Sequence, residues 1–345
     1  MSNLVTAIIP AYNNGDTVTK AIDSVLQQDY DALEVVVVDD GSTDHTAEVL
    51  DALAAEEPRL KVVHQENGGP AAARNRGLAE ADGDYVIFVD ADDAMIGNSI
   101  REMVKLMESE GLDLVISGMR WIRISEDGRR SISETIEDLV RLHGPKDIKE
   151  HFMEFLHANL ILNSMCAKLY KREIIREHAI VVNDRLDMGE DFQFNLSYIR
   201  YARLVDTYAK SIYSYEMYRS TLTNRYREHL FEERKLSTTL LREFLEEFKL
   251  PTHMAQFLYL KLFIAQMMQD AAHKVPKATR LAHVQDIYQS EEIQFALEGF
   301  EPEGRTERII YKVVRGGKYN RIWCFAKAAN FIRKHFADKF HMVSI

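Results

Sequence analysis

Tyr85-Val86-Ile87-Phe88-Val89-Asp90-Ala91-Asp92-Asp93 is an unbroken aromatic and aliphatic run that ends in three acids. Such a run suits a strand covered on both faces. The carboxylates then stand at the strand's C-terminal end, where open α/β sheets place their ligands. Acids this close repel one another unless a positive group joins them. Oxygen donors select a hard divalent cation such as Mg²⁺ or Mn²⁺. The competing reading is a solvated turn whose aspartates cap a helix.

The flanking sequence favours the sheet. Upstream, Leu4 to Ile9 is apolar and ends in Pro10-Ala11-Tyr12-Asn13. Asn14-Gly15-Asp16 turns the chain, and Val18, Ala21, Ile22, Val25 and Leu26 then recur at helical spacing. Glu34 to Val38 is the next strand, cut off by Asp39-Asp40-Gly41-Ser42-Thr43-Asp44. A helix with Ala47, Leu50, Leu53 and Ala54 inward leads to a short strand over Leu60 to Val63. Asn67-Gly68-Gly69-Pro70 introduces a helix from Ala71 to Ala81. Strands alternating with helices give right-handed crossovers and a parallel sheet. The loops after these four strands share one edge, which gathers Tyr12, Asn13, Asp39, Asp40, Asn67, Arg74 and the acids. A nucleotide would sit there. Neither G-x-G-x-x-G nor the P-loop pattern occurs, which argues against a dinucleotide or P-loop site.

Further on, a helix is expected over 98–110 and a strand over Leu112–Ser117. Trp121–Ile124 reads as a half-exposed strand, followed by a turn from Ser125 to Arg130. Asp147–Leu160 is helical in pattern, and Cys166 to Lys171 leads into another helix. Met188-Gly189-Glu190-Asp191 opens a helix with Phe194, Tyr198 and Tyr201 on its apolar face. Tyr213–Tyr215 reads as a short strand. After Tyr226 the pattern is helical: Leu230–Phe248, Met254–Ala272 and Arg280–Tyr288.

The chain has 345 residues, enough for one large domain with an appendage or for two domains. No apolar run reaches transmembrane length, and the N-terminus lacks the charged and apolar regions of a signal peptide. Its two cysteines, Cys166 and Cys324, lack metal-ligand spacing, in keeping with a reducing cytoplasm. The net charge of −11 is uneven. Residues 305–345 carry ten Lys or Arg against Glu307 and Asp338, a balance of +8 that leaves −19 for the remainder. That acidic body disfavours nucleic acid as a partner.

Five segments, in this order, resemble the family-2 glycosyltransferases of GT-A fold. They are Ile8-Ile9-Pro10-Ala11-Tyr12-Asn13, Val38 to Asp44, Gly69 to Gly77, Asp90-Ala91-Asp92-Asp93, and Gly189-Glu190-Asp191. The resemblance implies a Rossmann-like, mostly parallel α/β sheet over residues 1–225. A helical region over 226–304 and a basic amphipathic tail over 305–345 would follow. It implies an inverting enzyme that moves a sugar from a nucleotide sugar, most simply a UDP-sugar, to a hydroxyl. The acceptor would belong to a polysaccharide or a lipid-linked oligosaccharide at the cytoplasmic face of the membrane.

By the same resemblance, Pro10, Ala11, Tyr12 and Asn13 would wall the base, and Asp40, with Asp39 beside it, would read it. The alternative for both acids is turn formation and capping. Asn67 and Arg74 would reach the nucleotide, Arg74 through its fork of donors, and Asp90 and Ala91 the ribose. Asp92 and Asp93 would face Mn²⁺ or Mg²⁺, directly or through water, the ion steadying the departing diphosphate. No third protein ligand is identifiable. Asp191 would be the base, with Glu190 holding acceptor hydroxyls; the alternative is an acidic helix start. Lys168, Arg219 and Ser220 stand where phosphate or acceptor contacts fall, or form surface pairs and turns.

Two rivals remain. One is a metal-dependent phosphohydrolase with Asp90 as nucleophile and Asp92 as acid; the other is a non-catalytic sugar-nucleotide-binding partner. In the tail, Ile322, Phe325, Ala329, Ile332, Phe336 and Phe340, joined by Trp323, fall on one helical stripe flanked by Lys and Arg. That pattern suits a helix lying on an anionic bilayer, or one docked on the protein's own body or on a second subunit.

Overall fold

Val5–Ala11 (β1) pairs in parallel with Leu33–Asp39 (β2) on one side and Tyr85–Phe88 (β4) on the other. Leu60–His64 (β3) extends the parallel set beyond β2. The computed structural model describes residues 3–124, 129–135, 142–144, 147, 151–152, 162–186, 189–218 and 226–335, with side chains as far as Ile332. The chain forms two compact units. The first holds residues up to Arg185 and Glu190–Ser220, the second Leu186–Gly189 and Thr221 onward.

In the first unit, β1, β2 and β4 are nearly wholly buried, which is why their sequences do not alternate. Beyond β4 the sheet becomes mixed. Lys168–Lys171 (β9) is inserted antiparallel between β4 and Leu114–Ile124 (β6). Leu204–Tyr218 (β10) runs parallel to β6 and carries the antiparallel pair Ala94–Met95 (β5). Arg130–Thr135 (β7) pairs with β6, and Leu142–His143 (β8) with β10.

Three local expectations change here. Tyr213–Tyr215 is the interior of a 15-residue strand, not a short one. The strands expected over Leu112–Ser117 and Trp121–Ile124 are one continuous β6, which starts at Leu114. β9 was legible only as an approach to a helix, because Lys168 and Lys171 break the apolar signal. The helix expected over Asp147–Leu160 falls mostly outside the described residues; Asp147, His151 and Phe152 are helical.

Val18–Leu26 (α1), Thr46–Glu56 (α2), Pro70–Glu80 (α3) and Ile100–Glu110 (α4) cover the parallel strands or lead out of them. Two short helices follow, Arg172–Glu177 (α5) and Glu190–Ile199 (α6). The placing of α3 depends on two glycines. Gly69, at φ +87°, makes the turn into Pro70, a backbone state that L side chains rarely adopt. Gly77 lies against β1, where a Cβ would come within 2.3 Å of Ile8 Cγ2.

The second unit is helical: Leu230–Glu247 (α7), His253–Ala272 (α8), Lys277–Gln289 (α9), Glu291–Leu297 (α10), Arg305–Val314 (α11) and Tyr319–His335 (α12). α8 is its centre, burying Tyr259, Leu260, Phe263, Ile264, Met267 and Met268. Ile322, Ala326 and Ala329 of α12 join the same core, with Phe325 partly buried beside them. The docked alternative thus holds for this part of the tail stripe, whose apolar side is occupied by the unit's own helices. Phe336 and Phe340 lie outside the described residues. No helix among the described residues is long and apolar enough to cross a membrane.

Candidate active site

The second turn of α3, the segment just after β4 and the first turn of α6 bring three of the expected acids together around one guanidinium. Arg74 is buried, and its Nη2 donates to Asp90 Oδ1 at 2.8 Å. Its Nη1 lies 3.7 Å from Glu190 and 3.8 Å from Asp191. Burial alone would lower the Arg74 pKa, but Asp90 and Asp191 reverse that and keep it charged. Nε and Nη1 of Arg74 have no hydrogen-bond partner, and neither has Oδ1 of Asp191. Unmade hydrogen bonds inside a protein are costly and concentrate where a ligand completes them.

Asp191 Oδ2 accepts from the Met165 amide at 3.2 Å. Its pKa is pushed up to about 6, first by burial, against the pull of Arg74, with Asp90 and Glu190 adding to the rise. A carboxylate tuned toward neutrality is suited to taking a proton.

The acids after β4 occupy three different environments. Asp90 is partly buried, held by Arg74 and approached by the Cys166 thiol at 3.7 Å. Its amide donates to the Tyr213 hydroxyl at 3.0 Å. Asp92 is exposed, yet neighbouring atoms and then Asp90 raise its pKa. Asp93 is buried: one oxygen accepts from Tyr213 at 2.7 Å and the other from the Glu216 amide at 3.3 Å. Burial and then the Asp90 charge push Asp93 up to about 8. The expected pair Asp92 and Asp93 is therefore split, one acid toward solvent and one toward β10. Among the described residues, no three His, Cys, Asp or Glu side chains are grouped to hold a metal ion. The raised pKa values nevertheless mark a negative charge that the surrounding protein does not balance, and a divalent cation would relieve it.

The β1 and β2 loops are cross-linked. Asn13, at φ +55°, accepts through its side chain from the amides of Thr43 and Asp44. Asp40 accepts from Gln65 at 2.7 Å and from the amides of Gly68 and Gly69 at 2.8 and 2.7 Å. A carboxylate has about four acceptor sites, so one remains. Asn67 donates to the Asp40 carbonyl. Asp39 accepts from the Ser42 amide and pairs with His64 at 2.8 Å. Burial would raise Asp39, but Ser42 and His64 outweigh it and hold it below the usual carboxylate range. Pro10 and the buried Ala11 stand in register with Val38 and Asp39, and Tyr12 is 48% exposed beside them. Ala91 is buried.

Lys168 is buried on β9, its ammonium donating to the carbonyls of Ser164 at 2.6 Å and Cys166 at 3.3 Å. It braces the loop before β9 instead of standing at the surface. Arg219 and Ser220 lie outside the described residues.

Residues without a sequence signal complete the frame. Tyr213 joins Asp90 to Asp93. Asn195 donates to the carbonyls of Leu162 and Ser164 and accepts from Tyr170 at 2.6 Å, holding the 162–166 loop against α6. Asn75 exchanges two hydrogen bonds with the Val182 backbone. The neighbour of Arg74 in the Arg74-Asn75-Arg76-Gly77 segment could have drawn attention to it.

This sheet, with its acids at one carboxyl edge, is the GT-A class of α/β fold. Residues 6–179 match glycosyl transferase family 2, and the chain belongs to that family. The uncharacterized glycosyltransferase EpsJ of Bacillus subtilis is 30% identical over 223 residues, covering 65% of this chain and 64% of that protein. The chain thus spans just under two thirds of the length of that curated relative. The solved structure of S. aureus TarS 1-349 in complex with UDP-GlcNAc superposes with a TM-score of 0.66. It is 19% identical, covering 94% of this chain and 91% of that one. The mannosyltransferase PcManGT from Pyrobaculum calidifontis, in complex with GDP-Man and Mn²⁺, superposes at 0.50 with 20% identity. It covers 99% of this chain and 89% of that one.

Proposed function

We propose that this glycosyltransferase inverts the anomeric centre. It would move a hexosyl or N-acetylhexosaminyl unit from a UDP-sugar to a hydroxyl of a saccharide or lipid-linked saccharide, with Mn²⁺ or Mg²⁺ as cofactor. The observation that carries the reading is Asp191: a half-buried carboxylate whose Oδ1 has no hydrogen-bond partner, raised toward neutrality, at a helix start beside the acidic edge. The binding of UDP-GlcNAc by TarS supports a uridine donor, and the Mn²⁺ complex of PcManGT supports a metal.

In this reading Asp191 takes the proton of the acceptor hydroxyl through Oδ1, and Glu190 orients the acceptor's other hydroxyls. Pro10 to Asn13 line the base, and the remaining acceptor site of Asp40 reads it. Asp92 is the readiest metal ligand, because it is the most exposed of the three acids and Asp90 is taken up by Arg74. Asp93, buried against β10, would join it only through water or after the turn rearranges. A cation held by one or two carboxylates and completed by substrate phosphates is the usual Mg²⁺ arrangement. Bound there, the ion supplies charge neutralisation for the departing diphosphate. The pairing of Asp90 with Arg74 favours this reading over the phosphohydrolase, whose nucleophile would have to be free.

The test is Asp191→Asn. Transfer should fall by a factor on the order of 10²–10⁴ while UDP affinity, read by calorimetry, is kept. Parallel loss of both would remove Asp191 from the chemistry.

A further inference from the structure

The helical unit carries a row of cations that the transfer reaction does not use. Arg305, Arg308, Lys312 and Arg315 are all exposed and recur every three or four residues along α11, so they share one face. The row continues across the turn. Arg321 Nη1 donates to the Lys312 carbonyl at 3.0 Å, tying the start of α12 to the end of α11. Gly317 makes that turn at φ +58° and sits against the Tyr288 ring, where a Cβ would come within 2.7 Å. Lys318 is thereby delivered to a cleft of about 630 Å³ lined by Lys277, Leu281, Lys318, Tyr319, Asn320 and Arg321. Three cations and no acid line it. Behind it, Tyr319 stacks on Trp323, and the Arg280 guanidinium lies 4.0 Å from the Trp323 ring.

Among the described residues, none of Lys277, Arg280, Arg305, Arg308, Lys312, Arg315, Lys318 or Arg321 forms an ion pair. On a chain of net charge −11, this concentration of cations outside any ion pair favours an anionic partner. Apolar groups indicate which kind. Leu281 is 40% exposed in the cleft, and Phe331 of α12 is 58% exposed. A wholly polar polyanion has no use for them, whereas a bilayer interface takes cations and apolar side chains together.

We propose that the α11–α12 face of the helical unit binds an anionic phospholipid surface, with a headgroup phosphate seated in the cleft between Lys277, Lys318 and Arg321. Contact is electrostatic and interfacial. The stripe that an inserting amphipathic helix would use, from Ile322 to Ala329, is already in the core. This inference is independent of the donor, metal and base assignments above.

The experiment is vesicle co-sedimentation of the full chain, comparing phosphatidylcholine vesicles with phosphatidylcholine doped with phosphatidylglycerol. The doped vesicles should bind the protein and the neutral ones should not. Combined Lys277→Ala, Lys318→Ala and Arg321→Ala should weaken partitioning on the order of a hundredfold, at about tenfold or less per basic residue. Lys105→Ala, a single exposed cation of the sheet unit, should leave it unchanged. Leu281→Ser should weaken binding to vesicles but not to soluble tripolyphosphate. Melting curves of Lys105→Ala and Leu281→Ser should superpose on the wild type, since those side chains are exposed, and the triple variant should melt only slightly lower, since the Arg321 bond it removes is also exposed. Equal binding to neutral vesicles, or an unaffected triple variant, overturns the proposal. So does a protein that binds tripolyphosphate as tightly as vesicles and ignores Leu281→Ser; its partner would then be a soluble polyanion.

Discussion

The Tyr213 hydroxyl donates a 2.7 Å hydrogen bond to Asp93, a residue 120 positions earlier in the chain. The same hydroxyl accepts from the Asp90 amide. One phenol on β10 therefore fixes both ends of the acidic turn, so the turn's geometry depends on a strand from the far side of the sheet.

Tyr213→Phe removes both bonds and leaves the packing almost intact. Leaving the buried Asp93 oxygen and Asp90 amide short of partners should cost about 1–3 kcal/mol in chemical denaturation. If Asp92 holds the proposed cation, affinity for Mn²⁺ should fall with it, since Asp92 sits between the two released anchors. Unchanged metal titration would detach Tyr213 from the metal site.

If Asp191 is the base, as proposed, it must be ionised to accept a proton, so kcat/KM should rise with pH through about 6 and level off above it. Arg74 is the charge that holds Asp191 down, and Arg74→Gln should move that limb upward by about one pH unit or more. A profile that drops in height without moving would mean that Arg74 acts on donor binding alone.

Asp93 bears on stability. Its pKa in the folded protein is raised above the unfolded value, so its stabilising balance is greatest at acid pH and is lost as pH climbs toward about 8. In EDTA, Asp93→Asn should melt higher than the wild type at pH 8, with the gap closing toward pH 4. Added Mn²⁺ should stabilise the wild type and not Asp92→Asn.

Gly77→Ala would put a methyl group into Ile8 at 2.3 Å. α3 should be forced off β1 at a cost of about 1–3 kcal/mol, and donor affinity should fall because Arg74 rides on the same helix. A fully stable, fully active variant would show that the helix has slack.

Short-range regularities were open to reading. β1, β2 and β4 are buried on both faces and so carry continuous apolar runs; α1 and the long helices of the second unit repeat at helical spacing. Acids at the end of β4 and at the start of α6 could be picked out because they stand in segments that resemble the family's motifs in the family's order; acids at a helix start are by themselves ordinary. β9 could not, since its four residues look like the approach to the following helix, and only pairing with β4 and β6 makes them a strand. The full length of β10 was hidden in the same way, because its register jumps across bulges and its lysine and serine interrupt the alternation.

What the amino-acid order determined by itself was the layered α/β plan, the family, and the set of residues crowding one edge, because periodicity and residue chemistry are local properties. Tertiary structure alone decided which acid faces water and which faces Tyr213, that Arg74 joins Asp90 to Asp191, and that Lys168 turns inward. It also decided that the described part of the tail's apolar stripe, from Ile322 to Ala329, is covered. Each depends on a neighbour distant in sequence, and burial and charge pairing, which set every pKa in the site, exist only once that neighbour is in place.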